Sequence, residues 1–149
     1  MNALLRQRAL RLLARRDHAR RELAHKLARH AESAEQLEAL LDELTASELL
    51  ADERYAAARV NSRGARVGDA KLAHELRAKG VAADLVSAAL ASGEDELSRA
   101  RRVWQRKFSR QPTTTDDDLA RAQQIRFLAG RGFSHETIQR VLRGLDEND

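Results

Sequence analysis

One pattern occurs three times in this chain and constrains its fold more than any other feature. It reads Glu22-Leu23-Ala24-His25-Lys26-Leu27, then Glu75-Leu76-Arg77-Ala78-Lys79-Gly80-Val81, then Phe127-Leu128-Ala129-Gly130-Arg131-Gly132-Phe133. Each copy has a leucine, a basic residue three positions later, and then a turn or an apolar residue. The second and third copies stay in step beyond this point, with Val81, Val86 and Leu90 matching Phe133, Ile138 and Leu142. Leu37, Leu40 and Leu41 play the same part in the first copy, after a longer loop. A repeat of a few helices buries its apolar face poorly alone and stacks on its neighbours. The expected fold is all-α: an elongated tandem array of three three-helix repeats, at residues 1–48, 49–93 and 94–149, with an extended basic surface in place of a pocket.

The helices follow from apolar spacing and from start and stop signals. Leu5, Ala9, Leu12 and Leu13 share one face of a first helix over about residues 2–15. A second runs over about 19–29, and Ser33 with Gln36 makes a capping box for a third, buried through Leu37, Leu40, Leu41 and Leu44. Helices over about 52–62 and 69–79 flank a loop bracketed by Gly64 and Gly68, and Gly80 supplies a left-handed stop. Two more cover about 82–91 and 95–109, the latter burying Leu97, Trp104 and Phe108. Ser109 to Thr115, with Pro112, reads as an exposed loop. The run from Thr115 through Asp116, Asp117 and Asp118 starts a helix that ends at Gly132, since acids favour the positive end of the helix dipole. Ser134 caps the ninth, buried through Ile138, Val141, Leu142 and Leu145. Alternating β-branched runs are absent, so no strand is expected.

Charge comes in blocks. Residues 1–30 hold nine Lys and Arg against two acids, and residues 31–53 hold eight acids and no base. Basic and acidic blocks alternate from there to an acidic C-terminal end. The blocks are either solvated faces that neutralise each other across helix pairs or flanks that meet a charged partner. With no cysteine, disulfides, thiol catalysis and zinc–thiolate sites are excluded. No apolar run approaches a membrane span, and no secretory signal is recognisable, so the expected location is the cytoplasm.

The motifs that carry chemistry fail one by one. Glu22 and His25 have the spacing of half a di-iron carboxylate site, but no second Glu-x-x-His exists, and a solvent-facing pair on a basic helix is the better reading. His74-Glu75 begins like a zinc-protease helix, yet Ala78 stands where the second histidine belongs. The segment from Gly64 to Lys71 has glycines too closely spaced for a phosphate-binding loop and no preceding strand. It either presents Arg63, Arg66 and Lys71 to a phosphate or an acidic partner, or is a solvated connection. No catalytic residue, metal site or cofactor is expected. Arg8, Arg11, Arg15, Arg16, Arg20 and Arg21 crowd the first helix pair; Arg99, Arg101, Arg102, Arg106 and Lys107 crowd the seventh helix. Clusters of this kind neutralise phosphates in a salt-dependent way. Aromatics for base stacking are few, so any nucleic-acid contact is expected to be to backbone, without sequence preference.

Four stretches, in order and covering nearly the whole chain, resemble the RecX family. They are Ala9 to Leu23, Leu49-Leu50-Ala51-Asp52-Glu53-Arg54-Tyr55-Ala56, the second copy above, and Arg126 to Ser134. Gly130 departs from the family pattern, where a larger, often basic residue is expected. So does His30-Ala31, where a glycine is common. The resemblance implies three tandem three-helix units and no enzymatic activity. It also implies a modulator of the RecA recombinase, one that lodges in the groove of the RecA–DNA filament and suppresses ATP hydrolysis, strand exchange and co-protease activity. The other reading is a standalone protein binding nucleic-acid backbone. The chain is expected to act as a monomer.

Charge and repeat position select the candidate partner-binding or DNA-binding residues. They are Arg16, Arg20 and Arg21 in the first repeat, Arg63, Arg66, Lys71, Arg77 and Lys79 in the second, and Arg126 and Arg131 in the third. For each, the alternative is a solvated cation paired with a nearby acid; Lys79 and Arg131 would also suit a helix C-terminus through the dipole alone.

Overall fold

A computed structural model describes the backbone of residues 2–110 and 117–147, and the side chains of 3–110 and 117–144. The described residues form nine α-helices and no strand: α1 (Asn2–Arg15), α2 (Arg20–Leu27), α3 (Ala34–Ala46), α4 (Asp52–Arg63), α5 (Asp69–Ala78), α6 (Ala83–Ser92), α7 (Glu96–Phe108), α8 (Asp117–Gly130) and α9 (His135–Glu147). The loop expected around Pro112, the Thr115–Asp116 start signal and the expected burial of Leu145 lie outside the described residues. The backbone divides into two compact units, Met1–Ala58 with Leu76–Ala89, and Arg59–Glu75 with Leu90–Asp149.

The repeated pattern has a backbone cause. After α5, Gly80 takes φ +86°, its N–H donates to the Arg77 carbonyl, and the Val81 N–H donates to Leu76. After α8, Gly132 takes φ +89°, its N–H donates to Ala129, and the Phe133 N–H donates to Leu128. Both are Schellman closures, in which a left-handed residue lets two amides return to the last-turn carbonyls. The residue that follows each glycine, Val81 or Phe133, is then buried. The first copy has no glycine at this place. There the chain leaves α2 through a 3-10 turn, Ala28–His30, with the Ala31 N–H on the Ala28 carbonyl, so α2 is shorter than its sequence predicts. A 3-10 turn keeps right-handed dihedrals and so needs no glycine.

In the first unit α1, α2 and α3 pack together around Leu5, Ala9, Leu23, Leu27, Leu40, Leu41 and Leu44, joined by Leu50. Each fully buried leucine contributes roughly 1.5–3 kcal/mol relative to exposure. Leu12, Leu13 and Leu37, expected inside, are only partly buried at the edge of this core. Ser33 caps α3 as expected, its Oγ accepting from the Gln36 N–H at 3.1 Å. The Gln36 side chain accepts from the Glu32 N–H at 2.6 Å, one residue earlier than a capping box predicts. Glu48 closes the end of α3 at φ 64°, with the Leu49 N–H on the Leu44 carbonyl.

In the second unit α7, α8 and α9 enclose Ala100, Val103, Leu128, Phe133, Ile138, Val141 and Leu142. Phe108 is buried, while Leu97 and Trp104 are half-buried, and the Trp104 indole N–H donates to Gln124 at 2.9 Å. Two polar residues of α7 tie α5 and the loop before it to this bundle. The Glu96 carboxylate accepts the Asp69 N–H at 2.6 Å and the Ser134 N–H at 3.1 Å, so it serves the starts of both α5 and α9. Burial alone would raise its pKa; the hydrogen bonds from Thr137, Asp69 and Ser134 outweigh this and hold it below the usual carboxylate range. Arg99, expected on the basic face of α7, is instead 4% exposed. Its guanidinium donates to the Gly64, Val67 and Glu94 carbonyls and pairs with Asp69. Three carbonyls and a carboxylate converge on one place, and a buried guanidinium satisfies all four.

Candidate functional site

In the first unit, most of the expected cations have partners within the chain. Arg16 forks onto Glu22, with Nη1–Oε1 at 3.1 Å and Nη2–Oε2 at 2.8 Å. Lys79 reaches the same carboxylate at 3.5 Å. Glu22 therefore does not face solvent, as its sequence setting suggests, but is buried, and among the described residues no cluster suited to a metal ion is present. Burial pushes its pKa up. The hydrogen bonds and charge of Arg16, helped by His18 and Lys79, prevail and hold it at about 2. Arg20 on α2 spans to α3, bonding Glu38 at 2.8 Å and Asp42 at 2.7 Å, so a basic block and the acidic block after it neutralise each other across a helix pair. Arg21 and Arg77 have no ion-pair partner among the described residues. The Arg21 stem lies over Gly80, where an added Cβ would come within 2.6 Å of the Arg21 Cβ.

His18, at the start of α2, is buried. Burial lowers its pKa, so the ring is neutral. Its Nδ1–H donates to the Arg16 carbonyl at 3.1 Å and its Nε2 accepts from Lys26 Nζ at 3.0 Å, which fixes the tautomer.

In the second unit, Arg63 is held by Glu75, with Nη2–Oε1 at 2.7 Å. Lys71, Arg66, Arg126 and Arg131 have no carboxylate partner among the described residues. Arg66 and Arg131, from the second and third sequence repeats, meet in one cleft of about 280 Å³. Arg106 and Lys107 of α7 complete its rim, and Phe127 and Val103 line its wall. The Arg131 guanidinium lies 5.1 Å from the centre of the Phe127 ring and Lys107 Nζ lies 5.4 Å from it. A ring face attracts cations, so Phe127 helps to hold two positive groups near each other. Arg106 donates to the Ala65 carbonyl at 2.6 Å and so keeps its charge uncompensated. Four cations converge here, and among the described residues no carboxylate lines the cleft. This arrangement attracts a carboxylate or a phosphate.

Arg106, Lys107 and Phe127 were not among the residues selected by charge and repeat position. Part of the signal was local, because Phe127 and Arg131 stand one turn apart on the same helix face. The contribution of α7 depends on how α7 packs on α8, which no local spacing reveals.

Comparison with known proteins gives the context. The family model for the second three-helix domain of RecX matches residues 52–90, and that for the third three-helix domain matches residues 94–142. A regulatory protein RecX from Herminiimonas arsenicoxydans is 43% identical over 146 residues, covering 97% of this chain and 95% of the relative. One from Chromobacterium violaceum is also 43% identical, covering 97% and 93%. The crystal structure of RecX from Lactobacillus salivarius superposes with a TM-score of 0.82 at 18% identity, over 97% of this chain and 96% of that one, and so shares the fold. Three-helix domains matched in order, relatives aligned along almost the whole chain and a common fold agree, and the chain belongs to the RecX family of regulatory proteins.

Proposed function

We propose that this chain is a cytoplasmic, non-enzymatic regulator that binds the RecA–DNA filament in its helical groove and inhibits ATP hydrolysis, strand exchange and co-protease activity. Membership of the RecX family carries this reading, since the aligned relatives are regulatory proteins. The cleft formed by Arg66, Arg106, Lys107 and Arg131 supports it, as uncompensated cations that suit an acidic surface. Of the ten residues selected from the sequence, Arg21, Arg66, Lys71, Arg77, Arg126 and Arg131 are the proposed contacts. Arg16, Arg20, Arg63 and Lys79 already hold acids of their own chain. Contacts at several places on one polymer reinforce each other through effective concentration, so individually weak ion pairs suffice. A protein seated across neighbouring protomers holds them in one relative geometry and so slows turnover.

The test is RecA's DNA-dependent ATPase, titrated with the purified chain. Inhibition below one chain per RecA protomer is expected. An unchanged rate at several-fold excess overturns the proposal. The double variant Arg66→Ala/Arg131→Ala is expected to need about tenfold more protein for the same inhibition, the loss of roughly 1.4 kcal/mol of binding.

A further inference from the structure

The first unit carries a second concentration of positive charge that the filament reading does not use. Arg8, Arg11 and Arg15 line one wall of a groove of about 760 Å³ between α1 and α2. Lys26 of α2 lines the other, with Arg29 and His30 of the 3-10 turn. Among the described residues no carboxylate lines this groove. Elsewhere in the same unit Arg6, Arg16, Arg20 and Arg54 are each paired with an acid. Arg8, Arg11, Arg15 and Arg29 have no such partner among the described residues. The unit thus holds a neutralised set of cations and an uncompensated set, and four of the latter, Arg8, Arg11, Arg15 and Arg29, face one groove. Desolvation, and then the charges of Arg8 and Arg29, hold the exposed His30 below its usual pKa, which fits a positive potential there.

Spacing says what fits. Arg8, Arg11 and Arg15 stand at i, i+3 and i+7, a single row about 10 Å long at the 1.5 Å rise of a helix. A row of that length can meet successive phosphates of one strand. Arginine forks match phosphate oxygens in pairs, and Lys26 adds a point charge from the opposite wall. No phenylalanine, tyrosine or tryptophan stands among the described lining residues, and the only rings are the small imidazoles of His25 and His30, so the groove is dominated by charge and offers little for base stacking. We infer that the groove between α1 and α2 is a phosphodiester site that takes the sugar–phosphate backbone of a nucleic-acid strand without reading its sequence. The site is independent of the RecA reading, because it needs no filament.

The test uses the full chain, a fluorescently labelled mixed-sequence single-stranded oligonucleotide, and no RecA. Anisotropy is followed across salt concentrations. Arg8→Ala/Arg11→Ala/Arg15→Ala should lower the slope of log affinity against log salt by about 2, the loss of three contacts at about 0.7 each. Replacing the same three residues by lysine, which keeps the charge and the helix, should keep most of the slope; this arm guards against loss of folding in the alanine variant. The control Arg110→Ala/Arg140→Ala/Arg143→Ala removes equal charge from exposed positions of the second unit and should leave the slope within half a unit. Unchanged affinity in the first variant, or an equal loss in the control, overturns the inference. Inorganic polyphosphate should compete with the strand, since it presents the same oxygens. A polyglutamate peptide of equal charge that competes equally well also overturns it, and assigns the groove to an acidic protein segment.

Discussion

At the residue scale, two glycines of the repeated motif have opposite standing. Gly130 is the last residue of α8, with open space where a Cβ would be. Gly130→Ala should stabilise the protein by about 0.5–1 kcal/mol through helix propensity and reduced chain entropy. Gly80 is left-handed and lies under the Arg21 stem. Gly80→Ala should cost about 1–2 kcal/mol for the backbone alone. Denaturant midpoints check both; equal shifts in one direction would contradict the argument. The pH dependence is a second residue-scale expectation. Glu22 has its folded pKa depressed to about 2 from an ordinary 4.5, so it stabilises the fold above 4.5 and loses that contribution as pH falls toward 2. His18 is also lowered, from 6.5, because its buried ring resists protonation; its contribution is complete above 6.5 and declines below it. Acid should therefore destabilise the protein in two stages. His18→Gln should weaken the first and Glu22→Gln the second, to which the depressed Glu96 also contributes, as read from urea melts at a series of pH values.

At the element scale, what the sequence revealed depended on range. Helix ends set by one residue's dihedrals, such as those at Gly80 and Gly132, are legible because glycine's left-handed freedom is a local property. The Ser33 cap is legible for the same reason. Arg99 was not. It looks like any other arginine of the basic α7, and only the convergence of Gly64, Val67 and Asp69 from a distant segment draws it inside. Glu22 was missed likewise, since its burial depends on Arg16 folding back from the end of α1 and on Lys79. At the candidate cleft the sequence identified Arg66 and Arg131 as contacts, and Arg106 and Lys107 as members of a basic cluster on α7, but did not bring the two pairs together. Arg99→Met keeps the volume and removes every donor, which leaves the Gly64 and Val67 carbonyls without the guanidinium they accept from. It should cost about 2–4 kcal/mol, against less than about 0.5 kcal/mol for the exposed Arg101→Met. Thermal unfolding of both variants checks the contrast, and equal melting points would show that the buried guanidinium contributes nothing.

At the scale of the whole molecule, the formal charge of +4 understates the electrostatics. Acids and bases that pair, as Arg20 does with Glu38 and Asp42, cancel locally and contribute little at a distance. The uncompensated cations of the two basic clefts remain. Binding that rests on them should weaken as salt rises, whereas the exposed pairs contribute so little to stability that screening them should move the fold only slightly. Inhibition of RecA's ATPase, compared at about 50 mM and about 200 mM salt, should require more protein at the higher value, while the melting temperature moves little. A salt-independent titration would locate the affinity in apolar contacts instead.

The two anchoring bonds of Glu96 reach α5 on one side and the start of α9 on the other, although α5 belongs to the second matched three-helix segment and Glu96 to the third. Modules recognised along the chain are therefore not pieces that come apart. A fragment cut at the junction before Glu94 would carry a half-buried carboxylate and a buried guanidinium stripped of Asp69, Gly64 and Val67. It should be a poor folder in isolation, and one extended back to Arg59 should recover cooperative melting.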